Sequence, residues 1–322
     1  MGQEMDSNAG HLISITDLGD RDLRHIVDQG VRFGDRTEEP GRPLDGVVVG
    51  VYFRKTSTRT RTAFSSGALR LGAQLVTFGP GDLQLNTGET VGDTGRVLGG
   101  MLDLLVARTA GKEQELRDLG RSGLRVVNAM SALEHPTQAL ADLTTLTQRF
   151  GSLDGLRLLY VGEGNNTCTA LALALSRYPG VHFEARTPPG YGIPGVILAE
   201  AKAQARDHGS VVVERHDMDD LPADVHAIYT TRWQTTGTAK PDPRRREVFA
   251  PFRVHQGLWR TSPDAVFLHD LPAHRGEEVT AEVLDGPRSI AFRQAENKLH
   301  SAMAVLRWCA LGVRSELAGA TR

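Results

Sequence analysis

Two periodicities alternate along this chain. Short apolar runs at 47–53, 74–78, 104–107 and 124–128, and again at 156–161, 182–186, 227–230 and 265–268, predict buried β-strands. Between them, apolar residues return every three or four positions. That spacing predicts helices over 16–34, 57–71, 90–102, 136–150, 167–177, 194–208 and 295–311. In the first, Leu18, Leu23, Ile26 and Val27 share a face and Thr16 is the expected cap; the last carries Leu299, Met303, Leu306 and Leu311. Residues 81–88 read as a loop, and Gly151 is a stop signal after the fourth helix. Strands alternating with helices predict an α/β protein built on mainly parallel sheets flanked by helices. At 322 residues there is room for two such domains. The expected division is 1–150 and 151–294, with the C-terminal helix, 295–322, packing back on the first.

Composition narrows the classes. The chain is 40% hydrophobic and 24% charged with a net charge of −2, the profile of a soluble globular protein. No strongly basic surface is implied, so nucleic acid and membrane are not expected partners. The tract Arg244-Arg245-Arg246 reads as a solvated loop. Two cysteines, Cys168 and Cys309, are too few for a disulfide framework and wrongly spaced for a metal site, which fits a reducing cytoplasm. The tract Gly162-Glu163-Gly164-Asn165-Asn166 follows a strand and opens a helix, but it lacks the third glycine of a dinucleotide fingerprint, so no nicotinamide cofactor is expected.

The densest chemistry is Ser57-Thr58-Arg59-Thr60-Arg61, after a strand and at a helix start. Helix N-termini favour anions, hydroxyls add donors, and guanidinium forks match phosphate oxygens. A Ser-capped helix with surface arginines is the bland alternative. Arg61, two residues from Arg59, points elsewhere on the helix.

Residues 53–61 resemble the carbamoyl-phosphate motif of the aspartate/ornithine transcarbamylase family, and further motifs follow in the family's order over nearly the whole chain. Residues 84–94 resemble the loop that reaches into a neighbouring subunit's site. Arg108 ends a strand where the family places an arginine, His135-Pro136-Thr137-Gln138 is the second hallmark, and His269-Asp270-Leu271-Pro272 is a variant of the third. The resemblance implies transfer of a carbamoyl group from carbamoyl phosphate to an amine, with no metal or cofactor, in a homotrimer with shared sites. By it, Ser57, Thr58, Arg59 and Thr60 bind the phosphate and Arg108 bridges phosphate and carbonyl oxygen. His135 and Thr60 donate to that oxygen as it becomes negative, and Gln138 accepts from the carbamoyl NH₂. Gln84, Leu271 and Lys298 complete the donor site. Lys298 stands where the family has arginine, keeping the charge without the fork.

The acceptor side departs from the family's patterns. Asn166 matches an asparagine that holds the acceptor's carboxylate in ornithine transcarbamylases. The aspartate that meets the acceptor's α-ammonium there is replaced by Thr231, in the segment Thr231-Arg232-Trp233-Gln234-Thr235. Arg232 and Gln234 instead resemble the anion-binding Thr-Arg-x-Gln of aspartate transcarbamylases. Asp270 stands where ornithine transcarbamylases have cysteine beside the reacting amine. An acidic side chain there can pair with an ammonium, orient the amine or, with its pKa raised by burial, accept a proton, which makes it a candidate catalytic residue with Thr60, Arg108, His135 and Gln138. Together with Thr235 and Leu271 these are the candidate acceptor residues. The changes point to a short diamino acid such as 2,3-diaminopropionate, or another ornithine analogue. An ornithine transcarbamylase making citrulline and a non-catalytic carbamoyl-phosphate-binding relative are the alternatives.

Overall fold

The structure, a computed structural model, describes residues 10–234 and 243–319. It divides into two compact units, Met1–Thr144 with Asn297–Arg322, and Thr145–Glu296. Among the described residues no helix is long and apolar enough to cross a membrane.

The first unit begins with α1 (Asp20–Gly34) and continues through β1 (Val48–Phe53), α2 (Arg59–Arg70), β2 (Gln74–Phe78), α3 (Val91–Gly99), β3 (Leu104–Arg108), α4 (Glu113–Gly120), β4 (Arg125–Met130) and α5 (Pro136–Phe150). Its four strands are parallel, in the order β2-β1-β3-β4. β3 is buried along its whole length and β4 nearly so, whereas β2 is an edge strand with most of its residues exposed.

The second unit carries β5 (Arg157–Val161), α6 (Asn166–Leu175), β6 (His182–Arg186), α7 (Gly195–Asp207), β7 (Val211–Arg215), β8 (Ala227–Thr230), α8 (Arg245–Phe249), β9 (Val266–His269) and α9 (Ala281–Leu284). Its sheet is also all parallel, ordered β7-β6-β5-β8-β9. α6 is buried on every face and correspondingly reads as Ala and Leu without an amphipathic stripe. The last helix, α10 (Ala291–Gly319), is interrupted at Gly312, whose φ of 67° is outside the helical region. Within the first unit its Arg307 pairs with Glu38 at 2.6 Å, and Ser301 and Met303 pack close against Gly30 and Gly67.

Several boundaries differ from expectation for local reasons. The first helix starts at Asp20 rather than 16, because Ser14 caps a separate 3-10 turn, Ile15–Asp17. There the Ser14 hydroxyl accepts from Thr16 N at 3.1 Å, and Asp17 Oδ2 accepts from Ser14 N at 2.9 Å. Thr16 is therefore not the cap, and Gly19 takes that place. The second helix starts at Arg59, with Thr58 as its N-cap, and the third stops at the pair Gly99-Gly100. α4 and β7 were not expected: the first buries only Leu116, Leu119 and Gly120 among charged residues, and the second is an edge strand ending in Glu214 and Arg215.

The N-terminal segment is held on β4. Leu12 N donates to Val126 O at 3.0 Å, and Asn128 Nδ2 to Ile13 O at 2.7 Å. Just beyond β4, buried Glu134 accepts from Ile15 N at 3.1 Å. Burial pushes its carboxyl up from 4.5 to about 7, against hydrogen bonds from Ser14 and Ile15 that favour the ionised form. A pKa raised by folding stabilises the fold fully below the unfolded value, and that stability is lost as pH rises through the folded one. Between pH 4.5 and 8 the wild type is thus expected to lose roughly 3 kcal/mol relative to Glu134→Gln. Denaturant midpoints of both proteins across that range check it.

Candidate active site

In an open parallel sheet, the crevice forms at the carboxyl ends of the two strands whose crossovers diverge. In the first unit those strands are β1 and β3, with β2 and β4 lying outside them. β1 leads into residues 54–58 and the start of α2; β3 ends on Arg108, opposite Phe53. β4 ends at Met130 and leads to His135, just before α5. The sheet order itself therefore brings Ser57 to Thr60, Arg108 and His135 to one edge.

At that edge, Arg61 N donates to Ser57 Oγ at 3.4 Å, while the Thr58 side chain makes no capping bond. Thr60 and Arg108 are buried, Arg59 is half-buried and Arg61 is exposed. Arg54 is committed elsewhere, forming a two-pronged ion pair with Glu115 at 2.8 and 2.9 Å. A cavity is lined by Thr60, Phe64, His135, Thr137, Lys298 and their small neighbours Ala63 and Ala302.

His135 is enclosed. Burial, with the positive charges of Lys298 and Arg108 nearby, holds its imidazole well below the usual 6.5, so the ring is neutral at neutral pH. Thr137 Oγ1 lies 3.3 Å from His135 Nδ1. With the hydroxyl donating there, the ring proton sits on Nε2, where it can be given to an oxygen. Lys298 donates to Gln138 Oε1. One lone pair of that oxygen is thereby used, and one is left.

The second unit repeats the pattern, with β5 and β8 as the diverging strands. The turn after β5 is tight: a Cβ on Gly164 would lie 2.2 Å from Ile193 N, so only glycine fits. Asn165 caps α6, its Oδ1 accepting from Thr167 N and Cys168 N at 3.0 and 3.1 Å. Its Nδ2 donates to Thr231 Oγ1 at 2.9 Å, Thr231 lies 2.9 Å from the Tyr160 hydroxyl, and Tyr160 donates to Glu163 O at 2.8 Å. Since Tyr160 has one proton to give, Thr231 is the donor to it. Burial raises the Tyr160 phenol well above its usual 10, so it keeps that proton.

Beside this chain, β8 and β9 run in register with Thr230 opposite His269, so Thr231 and Asp270 are the first residues past the paired ends of neighbouring strands. Asp270 Oδ2 accepts from Thr167 Oγ1 at 3.2 Å, and its side chain is 20% exposed. His269 Nδ1 accepts from Leu271 N at 2.8 Å, which leaves its Nε2 proton facing Glu278 Oε1 at 3.2 Å. That bond holds Leu271 at a φ of 53°, a conformation that disfavours a side chain.

The expected residues thus fall into two groups. Thr60, His135 and Lys298 line one cavity, with Gln138 joined to it through Lys298. Asn166, Thr231, Asp270 and Leu271 lie at the carboxyl edge of the second sheet. Arg232 is turned along its own loop, its Nε donating to Gln234 O at 2.6 Å; Gln234 is exposed and Trp233, between them, is buried. Gln84 is exposed on a 3-10 turn, its amide oxygen 3.1 Å from Thr87 Oγ1, and is not among the cavity residues. Thr235 lies outside the described residues.

The arginine tract is a correction. Arg245 is not solvated: it is buried at the start of α8, pairs with Glu163 at 2.6 Å, and stacks on Tyr191 and Phe249. An arginine in a charged triplet gives no sign of this, because its partner is 82 residues away. Asn165, Tyr160 and Thr167 also went unrecognised. For Asn165 a signal existed, since Asn before a helical run is a common cap.

Comparison with known proteins follows the same division. Residues 10–148 match the family description "Aspartate/ornithine carbamoyltransferase, carbamoyl-P binding domain", and residues 154–309 match "Aspartate/ornithine carbamoyltransferase, Asp/Orn binding domain". The ornithine carbamoyltransferase of Anoxybacillus flavithermus is 37% identical over 91% of this chain and 94% of its own length. That of Acidothermus cellulolyticus is 39% identical, over 92% and 95%. Among solved structures, ornithine carbamoyltransferase from Pyrococcus furiosus matches with a TM-score of 0.86 and 35% identity, covering 94% of this chain and 97% of that one.

Two units, each a parallel sheet between helices, make up the transcarbamylase fold. With both family descriptions matched over most of its length, this chain belongs to the aspartate/ornithine carbamoyltransferase family. It is a carbamoyltransferase that uses carbamoyl phosphate.

Proposed function

We propose that the protein transfers the carbamoyl group to the side-chain amine of a diamino acid, with L-ornithine as the leading acceptor. Relatives at 37% and 39% identity over nine-tenths of the chain, all named ornithine carbamoyltransferases, carry this reading. In the proposed reaction the neutral amine attacks the carbonyl carbon, a C–N bond forms, the bond from that carbon to the phosphate oxygen breaks, and the departing phosphate takes the amine's proton. No covalent enzyme intermediate is needed. The start of α2, with Ser57, Thr58, Arg59 and Thr60, grips the phosphate. Arg108 spans phosphate and carbonyl oxygen. His135 Nε2–H and the Thr60 hydroxyl stabilise the oxyanion, and Gln138 Oε1 takes the carbamoyl N–H. Lys298 and Leu271 complete the donor's surroundings. Asn166, Thr231, Arg232, Gln234, Thr235, Asp270 and Leu271 serve the acceptor.

A second reading, a shorter diamino acid such as 2,3-diaminopropionate, is favoured by one observation. The Thr231 hydroxyl is used both as donor and as acceptor by its neighbours, while the first residue past the neighbouring strand, Asp270, is a carboxylate. If the acceptor's α-ammonium pairs at 270 rather than 231, it sits nearer the reacting amine, and fewer methylenes separate the two.

Assembly is part of the proposal. Gln84 would reach a neighbour's carbamoyl phosphate in a homotrimer. Exposed apolar residues of the first unit support self-association: Leu69, Val76, Val97 and Met101, the last 71% exposed, together with the open edge of β2.

Labelled carbamoyl phosphate offered with ornithine, 2,4-diaminobutyrate, 2,3-diaminopropionate and aspartate decides between the readings. Fastest labelled ureido product from ornithine supports the first, and fastest from diaminopropionate the second. Turnover of aspartate alone, or of no amine, overturns both.

A further inference from the structure

Asp142 is fully buried on α5, one turn after Gln138, and the expected reaction makes no use of it. Gln138 Nε2 donates to Asp142 Oδ1 at 2.7 Å, and on the amide's other side Lys298 Nζ donates to Gln138 Oε1. An ionised carboxylate only accepts and an ammonium only donates. Between them the amide makes a favourable contact with each in one orientation and with neither in the flipped one. Flipped, it would set an N–H against the ammonium and an oxygen against the carboxylate, two repulsive contacts in an enclosed site where each unmade hydrogen bond is costly.

We propose that Asp142 is a positioning residue that gives the donor site its preference for a carbamoyl group over an acyl group of the same shape, by holding the Gln138 oxygen toward the donor. The inference rests on the reading of Thr60, Arg108, His135 and Gln138 as the donor site. Acetyl phosphate is the discriminating probe. It carries the same carbonyl and phosphoryl groups but has a methyl where carbamoyl phosphate has NH₂. An oxygen fixed toward that position rewards the N–H and leaves the methyl without a partner. An amide held on one side only sets its own N–H there part of the time and favours the carbamoyl probe less.

The test measures dissociation constants of the full-length protein for carbamoyl phosphate, acetyl phosphate and inorganic phosphate by calorimetry, for wild type, Asp142→Asn and Asp142→Ala. Asparagine offers either a donor or an acceptor and alanine removes the acceptor, so in each variant Lys298 alone holds the amide's orientation. The expected result is a wild-type preference for carbamoyl over acetyl phosphate that shrinks about tenfold in both variants, with inorganic phosphate affinity changed less than about threefold. Retained phosphate binding also shows that the variants are folded. In turnover, the loss is expected in KM for carbamoyl phosphate rather than in kcat. An unchanged preference ratio in phosphate-binding variants overturns the role of Asp142 alone. A wild type that binds none of the three overturns the donor-site reading on which it stands.

Discussion

Replacing Arg108 by alanine is expected to lower kcat/KM for carbamoyl phosphate about a thousandfold. Arg108 ends β3 at the crevice, is buried, and lies near enough to His135 to help depress its pKa. A single donor aimed at a developing oxyanion typically contributes 10²–10³ in rate, and Arg108 is assigned to both the carbonyl and the phosphoryl oxygens. Arg108→Lys keeps the charge but loses the fork, so it is expected to recover only a small part of the loss. Steady-state kinetics with the acceptor saturating, alongside melting curves of the three proteins, separate this from unfolding. A thousandfold loss with melting little changed is the expected outcome. A loss under about tenfold in folded Arg108→Ala would remove Arg108 from the donor site.

The second large effect is expected on the acceptor side. Asp270→Asn should raise KM for the preferred diamino acid about a hundredfold while leaving KM for carbamoyl phosphate nearly unchanged. The carboxylate stands at the end of β9, held by Thr167, beside a position where Thr231 offers no charge. Removing one partner of a charged, hydrogen-bonded pair costs about 2–5 kcal/mol, and roughly 3 kcal/mol is a hundredfold. A structural role for Asp270 would raise both KM values together or lower the melting temperature; a counter-ion role raises the acceptor's KM alone. Equal KM for the acceptor in Asp270→Asn and wild type contradicts the assignment.

How much of this was readable beforehand depended on where each signal lay. Strands at Gln74–Phe78, His182–Arg186 and Ala227–Thr230, and the helix Pro136–Phe150, coincide with their apolar patterns end to end. In His182–Arg186 and Ala227–Thr230 near-continuous burial in a parallel sheet leaves a plain local trace, whereas Gln74–Phe78, a mostly exposed edge strand, is marked by its β-branched and aromatic residues. Ser57 to Thr60 stand out because hydroxyls and guanidiniums are packed into a few consecutive residues at a helix start, whereas the His135 segment stands out through its resemblance to the family's motifs. What escaped was non-local. Glu163 and Arg245, Thr231 and Tyr160, and Gln138 and Lys298 pair across 71 to 160 residues, and no local pattern records that. The turn at Ser14 escaped differently, since a capping box there competes with Thr16 and cuts the helix short. Sheet order then explains why distant motifs meet: in each unit, the loops after the two diverging strands share one edge.

Every role assigned to Arg59, Arg108, His135 and Gln138 depends on where the donor binds. A crystal structure of the protein with phosphonoacetamide, a stable analogue of carbamoyl phosphate, tests it. The predicted result places the phosphonate against the first amides of α2 and the Arg59 and Arg108 guanidiniums, the carbonyl oxygen on His135 Nε2, and the NH₂ on Gln138 Oε1. An analogue bound elsewhere in the first unit, with His135 and Arg108 touching none of it, would contradict the assignment.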